Sequence, residues 1–291
     1  MIRTVVAPVA PVAQDRTGLL SALAVARSLG AHLDAAFVRP DPKDVFIYLG
    51  LDPTVADQAN REQRTRVEAD GLAAAEQAET RFAVLCRETG IAMVDGPTPA
   101  KTASARWQVL VGDPAIQIPE YAKAHDMAIF TGAFTSYHLL LENALETTLL
   151  RSGRPVLFLP EATGPSSPDL GHALIAWDGG GGAARAVSAW LATGQVAQRA
   201  TVLQLSEASE YVAEPTEVLE HLSWHGISAK ADIRPRGFDS LGASLVTAAR
   251  ENGAGVIVMG GYGHNRYREA VLGGMTRHVI RNAPMPVLMA H

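Results

Sequence analysis

Apolar residues in this chain gather in short uninterrupted runs, and the stretches between the runs carry apolar positions at helical spacing. The first run, residues 2–9, has no polar alternation, which is the pattern of a strand buried on both faces of a parallel sheet. Residues 19–29 follow at helical period, and Gly30 closes that helix. A second strand is expected at 33–38. The acidic, Gln-rich segment 56–90 predicts one long helix, broken near Gly71. Further strands are expected at 105–111, 127–131 and 156–159, with helical segments between them. The segment 161–171, EATGPSSPDLG, is rich in Pro, Ser and Gly and reads as a linker. The pattern then restarts: strands at 173–177, 201–205, 228–233, 256–259 and 287–289 alternate with helices at 183–192, 217–224, 241–251 and 275–281. Strands alternating with helices argue for an α/β fold with open parallel sheets and ligand at the carboxyl ends of the strands.

The two halves align with each other. Pro155-Val156-Leu157 matches Pro286-Val287-Leu288, AIFTG ending at Gly132 matches VIVMG ending at Gly260, and TVVAPVA at 4–10 matches ALIAWDG at 173–179. Three matches in the same order support a duplication. The units are then 1–160 and 172–291, joined by 161–171.

The densest chemistry lies in 256–291. The run 256–259 ends in Gly260, Gly261 and Gly263; Gly273 and Gly274 open the last helix; Pro284 and Pro286 stop it. A buried strand feeding a glycine-rich loop and a helix N-terminus is a physical means of holding phosphate, because glycine admits the ligand to the backbone and the helix end offers N–H groups and partial positive charge. The bland alternative is that these glycines only make turns. Gly260, Gly263 and Gly273 are separated by two and nine residues, and this spacing resembles the nucleotide-binding signature of the universal stress protein family. The resemblance continues to the C-terminus and, through the repeat, covers the whole chain. It implies two tandem five-stranded domains of the adenine nucleotide alpha hydrolase type, related by an approximate two-fold axis. It also implies an adenine nucleotide such as ATP, alone or with Mg, bound by Asp178, Leu205, Gly260, Gly263, His264, Gly273, Gly274, Met275 and Thr276.

In that comparison Asp178 meets the adenosine moiety, as a carboxylate accepting from ribose hydroxyls or an exocyclic amine can do; the other reading is a helix N-cap. Leu205 would meet adenine through its backbone. His264, Asn265 and Arg266 either cover the phosphates or form a solvated loop. The family places Ser or Thr where Gly274 stands, so one side-chain donor is absent; Thr276 is the nearest hydroxyl. In the first half Thr135 stands for Gly263, Glu142 for Gly273, Asn143 for Gly274 and Val9 for Asp178. A glutamate at that helix start would repel a triphosphate and fill the anion site itself. The first half is therefore expected to be degenerate; the resemblance implies that it pairs with the second through antiparallel contact of the strands near 155–160 and 286–291.

Composition narrows the classes. Net charge is -5, which draws the protein to neither nucleic acid nor an anionic membrane. No apolar run reaches transmembrane length and no signal peptide is evident, so the cytoplasm is expected. The one cysteine, Cys86, lies on an apolar helical stripe and reads as a buried, inert thiol. Trp177, Trp190 and Trp224 are expected in the core, and His278 is expected to pack rather than to catalyse. The GxSxG, P-loop and metal-ligand patterns are absent. These readings converge on a stress-response protein with one nucleotide site in its second half, regulatory, or at most a slow ATPase, with a homodimer as a further option. The rivals are a scaffold that binds no nucleotide and a binding module for another, apolar, small molecule near residues 44–51.

Overall fold

The computed structural model describes residues 1–10, 16–44, 53–97, 102–132, 139–163, 168–194, 199–206, 214–235, 240–261 and 274–291. The first half runs β1 (Thr4–Val9), α1 (Arg16–Leu29), β2 (His32–Arg39), α2 (Pro53–Thr89), β3 (Ala92–Met93), β4 (Ser104–Val111), α3 (Pro114–Ala122), β5 (Met127–Gly132), α4 (Leu139–Arg151) and β6 (Val156–Pro160). The second runs β7 (His172–Ala176), α5 (Gly181–Ala192), β8 (Arg199–Ser206), α6 (Thr216–Trp224), β9 (Ser228–Pro235), α7 (Leu241–Glu251), β10 (Val256–Gly260), α8 (Gly274–Asn282) and β11 (Val287–Ala290).

The eleven strands among the described residues form one sheet, ordered β3-β4-β2-β1-β5-β6-β11-β10-β7-β8-β9. Each half repeats one layout: β4-β2-β1-β5-β6 in the first and β9-β8-β7-β10-β11 in the second. The first half carries six strands rather than five, because the two-residue β3 adds to its outer edge. Pairing is parallel within each half. The halves join where β6 and β11 pair antiparallel, as expected. There Leu157 faces Leu288, its own counterpart in the repeat, while Val156 faces Met289 and Phe158 faces Val287. A patch that meets its own equivalent in this way is the mark of a two-fold contact.

Both faces of the sheet are covered. Val5, Ala7 and Val9 of β1 point into one core with Leu23 of α1, Phe82 of α2, Trp190 of α5 and Leu222 of α6. Val6 points into the other, with Ile118 of α3, Leu145 of α4, Leu245 of α7 and Val279 of α8. With apolar layers above and below, successive strand residues all need to be apolar, which is why the strands show no alternation.

Two expectations are corrected. Helix α2 is continuous through Gly71. Its C-terminal half is held to the sheet by the buried stripe Ala75, Ala78, Phe82, Leu85 and Cys86, and packing of this kind overrides a single helix-interior glycine. Trp224 is not in the core but 88% exposed. Helix α6 buries Val218 and Leu222, and two residues beyond Leu222 lies about 200° around the helix, on the solvent side. Trp190, by contrast, is buried and donates its indole N–H to the Leu170 carbonyl at 2.7 Å. Cys86 is buried, and burial pushes its thiol up to about 11, in keeping with an inert role.

Candidate functional site

The strand registers of the second half bring the predicted residues to one end of the sheet. Ala176 of β7 lies beside Leu203 of β8 on one side and Met259 of β10 on the other. Asp178, Leu205 and Gly260 therefore follow at the carboxyl ends of three adjacent strands. This is where open α/β sheets hold ligands, beside the point at which strand order reverses.

Asp178 is exposed. Its Oδ1 accepts from the Gly180 backbone N–H at 2.8 Å, and Gly179 has a φ of 71° that suits glycine. The side chain shapes the turn into α5 but does not cap the helix. Gly180 is the N-cap residue and gives no side-chain bond, so the N-cap reading of Asp178 does not hold. A carboxylate retains further lone pairs for a hydroxyl or an amine.

Gly260 is required by packing alone. A Cβ there would lie 2.8 Å from the Ala183 nitrogen, so the start of α5 presses on the end of β10. Gly182 approaches the same spot, with Gly260 Cα 3.4 Å from its hypothetical Cβ. Gly261 donates to the Ala290 carbonyl at 2.8 Å, and a Cβ there would strike Leu149 at 2.6 Å. Gly274 opens α8 and differs from these: it is exposed, and a Cβ there would meet nothing within 4 Å. Met275 is half-buried, packed against the core. Thr276 is 3% exposed, on the side of α8 that faces the core with Val279 and Ile280, so it does not replace the missing surface hydroxyl. Leu205 is half-buried in β8. Gly263, His264 and Gly273, with Asn265 and Arg266, lie outside the described residues. His278 packs on Gly242 across α7 and α8, a contact too close to admit a Cβ at Gly242.

The first half departs from its expectation at one residue. Glu142, in the first turn of α4, does not stand alone at an anion site: Arg281 reaches both of its oxygens at 3.3 Å and Arg277 lies at 3.5 Å. Both arginines come from α8 of the second half, so the carboxylate ties the halves together near the two-fold contact. These two cations of α8 are thereby paired with Glu142.

A second polar cluster was missed by the sequence reading. Asp34 of β2 is 1% exposed. Arg106 grips it with two bonds of 2.9 and 2.7 Å; Tyr121 donates at 2.7 Å; His125 and His32 each lie at 3.0 Å. Burial by itself raises the pKa of Asp34, but the bonds from His125, His32, Arg106 and Tyr121 outweigh it and hold the carboxyl well below the usual range. Burial, with the bond to Asp34, pushes the Tyr121 phenol up to about 12. The signal was present: an aspartate inside the run LDAAFV is out of place unless paired. Asp34 sits near the amino end of β2, away from the ligand end, so its role is structural. Among the described residues no His, Cys, Asp and Glu group suits a metal ion, and no helix is long and apolar enough to cross a membrane.

Comparison with known proteins bears on this geometry. Residues 193–291 match the model of the Universal stress protein family. The universal stress match takes in β8 to β11, with Leu205 and the whole glycine motif, and begins after Asp178 and α5. No curated protein matches the chain. Solved structures similar to it include a universal stress protein from Archaeoglobus fulgidus DSM 4304, at 17% identity over 99% of this chain and 95% of that one, with a TM-score of 0.58. A putative universal stress protein from Pseudomonas aeruginosa UCBPP-PA14 is similar at 15% identity over 99% and 92%, with a TM-score of 0.53. A functionally unknown protein from Pseudomonas aeruginosa PAO1 is similar to the same degree. At these identities the likeness is one of fold, and it extends over both halves.

Proposed function

We propose that the second half binds one adenine nucleotide, ATP or a relative of it, and that the protein acts as a regulator in a stress response. The observation that carries this reading is that Asp178, Leu205 and Gly260 follow at the carboxyl ends of the adjacent strands β7, β8 and β10, within or just before the stretch that matches the universal stress model. The residues fit the ligand in kind. An exposed carboxylate suits a ribose or an amino group, and the first-turn N–H groups of α8, at Gly274, Met275 and Thr276, suit phosphate oxygens. ATP would supply the anionic charge that these N–H groups and the helix dipole favour. With Arg277 and Arg281 paired to Glu142, the first-turn N–H groups of α8 are the phosphate donors offered by the described residues, beside Mg if it accompanies the nucleotide; His264 and Arg266 lie outside the described residues. At this end of the sheet Asp178 accepts from the Gly180 N–H at 2.8 Å and His291 lies on the Gly261 carbonyl at 3.1 Å; each is tied to nearby backbone, and turnover of ATP is expected to be slow at most. The units 1–160 and 172–291, the linker 161–171, a cytoplasmic location and further dimerisation belong to the same proposal.

Calorimetric titration of ATP into the full chain tests it. One site per chain is expected, lost in Gly263→Val, where a branched side chain obstructs the backbone. Two equivalent sites would contradict the degenerate first half. No heat at millimolar ATP would favour the scaffold reading, which the Glu142 pairing with both arginines supports.

A further inference from the structure

We propose that the first half has a ligand site of its own, for an uncharged apolar small molecule, in a cavity at the carboxyl ends of β1 and β2. The cavity holds about 400 Å³, within the range of about 300–1,000 Å³ usual for small-molecule pockets. Val9 and Phe37 close it from the strands, Val67 and Ala74 from α2, Ile118 from α3 and Leu141 from α4.

Its position is that of the second half's candidate site. Thr4 corresponds to Ala173 in the repeat; Thr4 pairs with His32 and Ala173 with Ala200. Counting along both strand pairs, Val9 takes the place of Asp178 and Phe37 the place of Leu205. Leu141 directly precedes Glu142, the counterpart of Gly273. At corresponding positions the duplication has exchanged the chemistry. The carboxylate that would meet a ribose has become an isopropyl group, and the glycine that would admit phosphate has become the Glu142 that binds Arg281.

The walls decide the class of ligand. Among the described lining residues none is basic, and the single charge is the carboxylate of Asp70, exposed on α2. Among these described residues a nucleotide or another anion would find no positive charge and one repelling group. An uncharged apolar molecule would remove both its own surface and the cavity wall from water, which is the favourable term. The glycine motif of the second half contributes nothing to this cavity, so the site stands whether or not ATP binds there.

Nile red, an uncharged apolar dye whose emission rises out of water, tests the site in the full-length protein. A saturable rise at one dye per chain is expected, unchanged by saturating ATP. Ala74→Phe, which fills the hollow from a half-buried position on α2, and Val67→Asp, which puts a carboxylate in its wall, should each abolish that rise while unfolding stays cooperative. The two act by different means, so a variant that fails to fold leaves the other to decide. Trp224→Ser removes the exposed indole of α6 as an alternative landing place and should leave the titration unchanged. The proposal is overturned if the native chain gives no saturable rise, if ATP displaces the dye, if a folded cavity variant binds it as before, or if Trp224→Ser alone abolishes binding.

Discussion

Asp34 is the residue on which the first half depends most. A carboxylate taken out of water and bound by Arg106, Tyr121, His125 and His32 leaves four groups without their partner when it is removed. Asp34→Ala is expected to cost about 3–5 kcal/mol of stability, the usual penalty for breaking a buried pair from one side; urea unfolding of the full chain measures it. The acid dependence has a definite sign. The folded carboxyl has its pKa lowered, so its contribution is complete above the unfolded value of about 3.9 and declines as pH falls below that. The gap between the native chain and Asp34→Ala should therefore narrow below about pH 4; a gap that widens there would contradict this account. Asp178 belongs to the opposite class, exposed and, among the described residues, held by its own turn. Asp178→Ala should leave the melting temperature nearly unchanged and weaken ATP binding by about 1.5–3 kcal/mol, the range for a hydrogen bond to a charged group. An affinity equal to the native one, measured by calorimetry, would remove Asp178 from the site.

At the scale of elements, α2 and α8 carry the informative glycines. Gly71 lies inside a continuous helix, and the nearest atom to a Cβ placed there is Arg39 Cβ at 3.5 Å, an ordinary contact. Gly71→Ala should stabilise the chain by about 0.5–1 kcal/mol, because it removes backbone freedom from the unfolded state without strain in the folded one; a lower midpoint in thermal unfolding would show that the helix is tighter against Pro40 than these distances imply. Gly274 is at the start of α8 with open space around its Cβ position. Gly274→Ser should fold normally and bind ATP as tightly as the native chain or more tightly, since it adds a hydroxyl beside the first-turn N–H groups. Weaker binding in a folded Gly274→Ser chain would mean that the helix start lies away from the phosphates. The long α2 was visible in the sequence, but its continuity was not. Helical spacing shows only that a segment favours a helix, whereas the burial of Ala75, Phe82 and Cys86 against the sheet decides whether a weak point breaks.

At the scale of the molecule, β6 and β11 turn two sheets into one. Each would be an apolar edge by itself, with unpaired N–H and C=O groups inviting another strand. A chain of residues 168–291 alone should satisfy β11 by pairing with a second copy, using the same register in which Leu157 now faces Leu288. Sedimentation should report a dimer, and Leu288→Pro, which removes a ladder donor, should leave it monomeric or unfolded. A stable monomer with β11 intact would show that the contact between the halves depends on more than this edge.

The order of strands and helices and the duplication could be read from the chain because they follow from local matters: apolar runs of strand length, helical spacing between them, and like segments recurring in like order; the antiparallel join was expected from the family resemblance. Even the core thiol of Cys86 was legible in that way. Tertiary structure alone settled which partners the polar groups find. Glu142 has the sequence position of an anion competitor, yet its partners are two arginines more than a hundred residues away, brought close by the two-fold contact. Thr276 reads as a spare hydroxyl but turns inward with Val279; Trp224 reads as core but lies on the open side of α6. Val9 and Phe37 read as ordinary core strand residues, and only the spacing of α2, α3 and α4 over the strand ends leaves a hollow between them. Sequence period fixes which way a side chain points along its own element; the distance to the next element, and so whether that side chain meets a partner, water or a cavity, depends on how the elements pack.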